Sequence, residues 1–255
     1  MIDLKTKEEI EKMREGGKIL AEVLREVLKR IKPGVSELEL DELAKKLILE
    51  KGAEPGFKKV DGYKHTICIS TNDVVVHGVP TDYKLREGDV VGIDCGVYYE
   101  GFNTDMAETI RVKSSKLKVK SDEVDRFLET GEKAMWEGIK EAKAGNRVGD
   151  ISKAIQSLVE KQGHSVVRSL IGHGVGRKLH EEPEVPGFLD GTILKTPLLK
   201  IGMTIAIETI YNMGKSEVVY SNSDGWTIKT KDGSLSGLFE RTIAIAERGP
   251  VVLTR

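Results

Sequence analysis

Cysteine is nearly missing from this chain: Cys68 and Cys95 are the two among 255 residues. Two are too few for a disulfide framework, and neither belongs to a CxxC pair. Both lie in apolar, strand-like runs, so they read as reduced, buried thiols. No apolar run approaches the roughly 20 residues needed to span a bilayer. The N-terminal segment MIDLKTKEEIEKM has neither an apolar core nor an arginine-rich transit character. A charge excess of one sign is also missing. Forty Lys and Arg stand against forty-one Asp and Glu, a formal net charge of −1. That balance argues against a general nucleic-acid or membrane-surface binder. There is no Walker A sequence, no nucleic-acid module, no linker and no low-complexity segment. The expectation is a cytoplasmic protein with no membrane partner, long enough for one large domain or two fused halves.

What is present begins with helices. A capping box at Thr6-Lys7-Glu8-Glu9 starts the first. Ile10, Met13, Leu20, Leu24, Val27, Leu28 and Ile31 then keep helical spacing until Pro33-Gly34. A second box, Ser36-Glu37-Leu38-Glu39, starts another helix with Leu40, Leu43, Leu47 and Ile48 on one face, and Gly52 ends it. The pattern returns. Lys32 and Lys143, Gly34 and Gly145, and Gly52 and Gly163 are each 111 residues apart. Leu40/Ile151, Leu47/Leu158 and Ile48/Val159 keep that offset, and 121–142 then matches the first long helix. This predicts an internal duplication: one domain over 1–255 with α+β halves of roughly 1–112 and 121–255, related by a pseudo-twofold axis.

Strands are expected at 66–70, 74–77, 89–98, 102–112, 204–211, 217–220, 226–230 and 238–246, with Asp224-Gly225 as a turn. Three of these apolar runs hold isolated acids. Asp94 interrupts VVGIDCGV, Glu208 sits in IAIETI and Glu240 in LFERTI. A carboxylate in an apolar strand is costly unless something neutralises it. Asp94 and Asp105 look like the two arms of a hairpin. With a two-residue turn at Tyr99-Glu100 they become direct cross-strand partners, Cβ atoms roughly 4.5–5.5 Å apart. They would then share one face, with Ile93 and Cys95 on the other. Metals in two-metal hydrolytic sites lie about 3.5–4 Å apart, which such a pair can bridge.

Five histidines are present. His173 sits in Gly172-His173-Gly174-Val175-Gly176, a glycine-rich loop whose backbone can approach closely and take positive φ. His180 follows seven residues later, His77 ends a strand before Gly78, and His65 and His164 read as structural. Asp94, Asp105, His173, Glu208 and Glu240 thus form a hard, oxygen-rich candidate ligand set for paired divalent metals. His180-Glu181-Glu182-Pro183-Glu184 lacks the second histidine of HExxH, and 172–176 lacks the spacing of a dinucleotide loop.

These residues resemble type I methionine aminopeptidases. The similarity runs through Asn72-Asp73-Val74-Val75-Val76-His77-Gly78-Val79-Pro80, the Asp94/Asp105 hairpin, 172–183, 202–208 and 224–240. It implies the α+β pita-bread fold, an antiparallel curved sheet with helices on its outer face. It also implies two divalent metal ions, drawn from cobalt, manganese, iron or zinc, on the same five residues. His77 and His180 would stand beside the substrate, and Tyr63, Cys68, Leu179 and Trp226 would wall a methionine pocket. Glu208 would act as general base toward a bridging water, His180 would stabilise the oxyanion and His77 would bind the scissile amide. The substrate would be the N-terminus of a peptide or nascent chain, with a small second residue preferred. The enzyme would be a monomer that meets the ribosome transiently, although no basic patch marks a contact. There is no room for the type II insertion between His180 and Glu208, and the compact form without an N-terminal zinc-finger extension is expected. Two positions depart from the family: Thr209 replaces the usual proline and Arg241 the usual histidine. Two rival readings share the fold. A proline-specific peptidase usually carries an extra N-terminal domain. A non-catalytic binding module typically loses the metal ligands, all of which are present here. A purely structural α+β protein would leave the lone acids unexplained.

Overall fold

Two capping boxes fix the starts of the first helices, as the sequence predicts. Thr6 and Ser36 each accept the backbone N–H three residues on, and Glu9 and Glu39 reach back to the cap. The computed structural model describes residues 2–113, 122–221 and 224–255. In chain order it contains α1 (Lys7–Arg30), α2 (Glu37–Glu50), β1 (Glu54–Pro55), β2 (Ile67–Thr71), β3 (Val74–Val76), β4 (Val90–Tyr99) and β5 (Phe102–Arg111). Then come α3 (Glu123–Glu141), α4 (Val148–Lys161), β6 (Ser165–Val166), β7 (Gly172–Gly174), β8 (Glu181–Val185) and β9 (Thr204–Asn212). The chain finishes with β10 (Val218–Tyr220), β11 (Ile228–Thr230), β12 (Ser236–Ala246) and β13 (Gly249–Val252). Ser121, the expected start of the third helix, lies outside the described residues. Asp122 is the cap, its Oδ1 accepting from Val124 N at 3.0 Å and Asp125 N at 3.2 Å.

All strand pairs are antiparallel. The main sheet runs β1-β4-β5-β12-β9-β7-β8, with β2 on β4, β6 on β9 and β13 on β12. A second sheet, β10-β11-β3, is hydrogen-bonded separately. Strand parity divides the main sheet into two faces. The odd positions Ile93, Cys95, Ile205, Ile207, Phe239 and Ile243 are fully buried or nearly so. They join two apolar cores. One gathers Leu20, Leu24, Val27, Leu40 and Ile48 from α1 and α2, and the other Phe127, Met135, Ile151, Ile155 and Val159 from α3 and α4. The alternate positions face away from these helices, and on β5, where Ala107 pairs with Asp94, they are the odd ones. There Ala107, Ile210 and Leu238 pack with Val75, Val76 and Ile228 of the small sheet.

The two helix pairs correspond in detail. α2 and α4 are 14 residues each. Gly34 and Gly145 have φ of 91° and 94°, and Gly52 and Gly163 have 72° and 83°. Ser36 bridges Lys84 and Arg147 bridges Leu198.

The β4–β5 hairpin departs from its expected register. The turn is Glu100-Gly101, with φ of 45° and 92°, and Tyr99 pairs with Phe102. Asp94 therefore faces Ala107, and Asp105 faces Gly96. A two-residue hairpin turn of this hand needs positive φ at both positions, and glycine meets that need at 101 rather than 100. The shift is by an even number, so the two aspartates keep one face and become diagonal neighbours.

The backbones also approach closely where α1 crosses the C-terminal segment. A Cβ on Gly17 would stand 2.4 Å from the Leu253 carbonyl oxygen, whereas one on Gly16 would meet Tyr99 Cβ at 3.2 Å. Gly17→Ala is expected to destabilise the fold by about 1–3 kcal/mol in urea unfolding, and Gly16→Ala by less. Equal, negligible effects would show that this crossing is looser than described.

Candidate metal centre

Five adjacent strands each supply one ligand-type side chain to the face turned away from the helices: Asp94 from β4, Asp105 from β5, Glu240 from β12, Glu208 from β9 and His173 from β7. The registers set them in two neighbouring rows. One row runs Cys68–Asp94–Ala107–Glu240–Glu208 across β2, β4, β5, β12 and β9. The directly opposed acids are therefore Glu208 and Glu240, not the two aspartates. The other row holds Gly96 opposite Asp105, and Thr242 opposite Ala206 opposite His173. Thr242 Oγ1 joins its two parts, accepting from Asp105 N and donating to Asp105 O, both at 2.8 Å. Gly96, Ala107 and Ala206 have little or no side chain, which leaves room between the polar groups.

The expected glycine-rich loop at His173 is instead a short strand between β8 and β9. Its glycines act by close approach. None of Gly172, Gly174 and Gly176 has positive φ. A Cβ on Gly172 would lie 2.6 Å from Ala206 O, and one on Gly174 would lie 2.2 Å from Glu182 O. Thin backbone on both sides lets β7 seat His173 in the row. His173 Nδ1 donates to Gly174 O at 2.9 Å, so the lone pair of Nε2 faces the acids, 4.0 Å from Asp105 Oδ2. The ligand atoms of Asp105, His173 and Glu240 all lie within 4.8 Å of one another.

The electrostatics of this cluster are unfavourable for anions. Burial raises the pKa of all four carboxyls. Asp94 adds to the rise at Asp105 and Glu208, and Asp105, Glu208 and Asp94 add to it at Glu240. Burial, then the neighbouring His180, pushes His173 down to about 4 and lowers His77 as well. Asp94 Oδ1 and Glu240 Oε1 are buried without a hydrogen-bond partner. Orphaned carboxylate oxygens beside a neutral imidazole with its tautomer fixed are the donor set of a divalent cation. The residues fit that group.

All eleven residues singled out from the sequence line one cavity of about 780 Å³: Tyr63, Cys68, His77, Asp94, Asp105, His173, Leu179, His180, Glu208, Trp226 and Glu240. His180 packs edge-on against His173 with centroids 4.4 Å apart. His77 has φ of 56° at the end of β3, before Gly78, where a Cβ would fall 1.9 Å from Ile69 O. At the Asp94 end lies an apolar wall of Phe57, Tyr63 and Cys68, with Val60, Val79, Leu179 and Trp226 against it. Tyr63 donates to Ile67 O at 2.8 Å and meets Trp226 edge-on at 5.1 Å. Sequence reasoning missed Phe57. Its ring occupies the place of a Gly96 side chain, 2.7 Å from where that Cβ would be, and the glycine inside β4 was the available signal. His65 and His164 lie elsewhere: His65 is 3.4 Å from Asp41, and His164 packs on Phe127 and Tyr211.

Residues 11–246 match the model of metallopeptidase family M24. The chain is similar to the methionine aminopeptidase of Clostridium perfringens, 45% identical over 100% of this chain and 99% of the relative. It is also similar to methionine aminopeptidase 1 of Bacillus subtilis, 44% identical over 100% of both. Among solved structures, the methionine aminopeptidase of Thermotoga maritima superposes with a TM-score of 0.93 at 41% identity, covering 100% of both chains. A prolidase from Pyrococcus furiosus superposes at 0.78 and 25% identity, over 99% of this chain but 65% of that one. The pita-bread architecture expected from the sequence is thus the fold of this chain.

In protein stripped of cations, the raised carboxyls hold protons that the unfolded chain, with pKa values near 4, has released. The folded state then binds more protons than the unfolded one, so stability falls as pH rises through that window. His173, with His77, His164 and His180, which burial also lowers, acts in the opposite sense, but only below the ordinary histidine value near 6.5. Thermal melts of chelator-treated protein are expected to drop between about pH 5 and about pH 8, with Glu240→Gln flattening the slope. A rising profile for the stripped wild-type protein would contradict the assignment of protons to these buried acids.

Proposed function

The chain belongs to metallopeptidase family M24, and from that premise we propose that it is a methionine aminopeptidase, removing the N-terminal methionine of peptides and nascent proteins. The observation that carries this reading is the row Cys68–Asp94–Ala107–Glu240–Glu208. It sets an apolar wall directly beside a carboxylate cluster with orphaned oxygens. A side chain held at that wall has its own backbone at the polar groups.

Asp94, Asp105, His173, Glu208 and Glu240 would hold two divalent cations, with cobalt, manganese, iron and zinc as the metals suited to such donors. When bound, these cations neutralise the carboxylates and lower the pKa of water toward neutrality. Glu208 accepts the proton of the attacking water. His180, at the cavity edge, donates to the developing oxyanion, and His77 hydrogen-bonds the scissile amide. Tyr63, Cys68, Leu179 and Trp226, together with Phe57, enclose the first side chain. Their apolar character favours methionine. A small second residue is expected to give the fastest cleavage.

The reading treats residues 1–255 as one catalytic domain with halves of roughly 1–112 and 121–255. The equal lengths of α2 and α4 and the matched glycine geometry at 34/145 and 52/163 support it. All the site residues come from one chain, which supports action as a monomer. Among the described residues no helix is long and apolar enough to cross a membrane, in keeping with an encounter with nascent chains at the ribosome in the cytoplasm. A proline-specific peptidase shares the architecture but nothing in the pocket favours it.

The deciding assay is hydrolysis of Met-Gly-X and Pro-Gly-X peptides by chelator-stripped protein, with and without cobalt or manganese. Metal-dependent release of methionine alone is expected, and release of proline instead would reverse the specificity. Glu208→Gln is expected to keep the fold and lower kcat by about 100-fold to 10,000-fold. Near-normal turnover by a metal-loaded Glu208→Gln enzyme would remove Glu208 as the base.

A further inference from the structure

Lys5 is a lysine in an unusual place. Its side chain is 1% exposed, whereas lysines are almost never fully buried unless paired. It lies in the segment before α1, where chain ends ordinarily fray unless something ties them. Here the tie is visible: Lys5 N donates to Gly202 O at 2.7 Å. The lysine stem crosses Gly176 so closely that a Cβ there would be 2.3 Å from Lys5 Cε. At its tip Nζ ion-pairs with Glu181 and stands 3.3 Å from Asp3 Oδ2.

Glu181 is the other half of the device. One of its oxygens takes the Lys5 ammonium, and the other accepts the backbone N–H of Lys178 at 3.0 Å. That bond, with Gly176 N to Lys178 O at 3.0 Å, closes the tight loop joining β7 to β8. Leu179 and His180 sit on this loop and line the cavity. Asn103 holds the loop from the hairpin side, donating to Gly176 O at 3.0 Å and Arg177 O at 3.2 Å. Arg177 ion-pairs with Asp3 and Glu9.

We infer that Lys5 is a positioning residue for the reaction: through Glu181 it fixes the loop that carries Leu179 and His180. The inference rests on the methionine aminopeptidase reading for what that loop does. Removing the ammonium leaves Glu181 buried without its counter-charge. The carboxylate then turns toward water, Lys178 N loses its acceptor, and His180 drifts from the oxyanion. The metal-type cluster keeps its own supports, because its rows are held by β-sheet register and by Thr242.

The test compares wild type, Lys5→Met, Glu181→Gln and Lys5→Arg as metal-loaded enzymes on a Met-Gly-X peptide. Manganese affinity is measured by calorimetry and backbone hydrogen exchange is followed in parallel. Lys5→Met and Glu181→Gln are each expected to lower kcat by about tenfold to a hundredfold, a displacement of about 1 Å being enough for that. KM should rise less, manganese affinity should hold, exchange should quicken across 176–182, and Lys5→Arg should restore most of kcat. Unchanged kcat with faster exchange confined to 2–6 would overturn the inference and leave Lys5 as a tether of the terminal segment. Parallel loss of manganese affinity and melting temperature would also overturn it, marking general structural support. If wild type releases methionine from no peptide, the functional reading fails, and exchange across 176–182 still decides whether Lys5 orders the loop.

Discussion

The mutual repulsion of four carboxyl groups on one sheet face is the constraint to which the rest of this molecule answers. At an effective dielectric of about 20, two anions about 5 Å apart repel by about 3 kcal/mol. A domain's whole stability is only about 5–15 kcal/mol. Asp94, Asp105, Glu208 and Glu240 therefore cannot all be ionised in the folded chain without a cation among them. The backbone nonetheless presses them together: Glu208 and Glu240 are opposed in register, and Asp94 stands across Ala107 from Glu240. A sheet that accepts this arrangement in its most buried rows is built around a site. Its stability and its cation affinity are two sides of one balance.

What holds the acids against their repulsion lies on the other face. The helix-facing positions of β4, β5, β9 and β12, odd-numbered except on β5 where Met106 takes that place, are anchored by two apolar cores, one under α1 and α2, the other under α3 and α4. Because side chains alternate along a strand, anchoring one set of positions fixes the other. Ile205 and Ile207 on one face bracket Ala206 on the other, and Phe239 and Arg241 bracket Glu240. Neither helix pair touches the site chemically, yet each locks the register that forms it. Asp94 and Asp105 come from strands that follow α1 and α2, and His173, Glu208 and Glu240 from strands that follow α3 and α4, so the cluster exists only where the two sets meet.

This division explains how much was legible in the sequence. The lone acids were visible because each breaks an apolar run, and parity correctly placed Asp94 opposite Ile93 and Cys95. The hairpin register was misread because the turn was centred on Tyr99-Glu100. Gly101 supplies the positive φ that a two-residue turn requires, and weighing that would have moved the turn by one. The stretch around His173 looked like a loop because glycine is poor in strands. β7 tolerates it because both neighbours approach more closely than a side chain would allow. Lys5 and Phe57 could not be reached from periodicity at all. Lys5 acts on Glu181 across most of the chain, and Phe57 matters only because it lies over Gly96.

Thr209 and Arg241, the two positions at which the sequence reading expected departures from the family, show the same logic from the opposite side. Each follows a site glutamate by one residue, so each points to the helices and neither borders the cavity. Thr209 is fully buried with its hydroxyl unpartnered. Arg241 is buried too. It ion-pairs with Glu108, its guanidinium lies over the Trp136 ring at 5.8 Å, and Nη1 donates to Glu240 O at 2.7 Å and Ala107 O at 3.2 Å. Ala107 and Glu240 are register partners, so one guanidinium clasps the β5–β12 seam at the row that holds the acids. Glu108, whose pKa burial raises while Arg241 draws it back down, supplies the counter-charge a buried guanidinium needs. A residue in this position can influence the cluster only through the backbone it grips. The arginine grips it from both strands and so supports the strand geometry on which the carboxylate row depends.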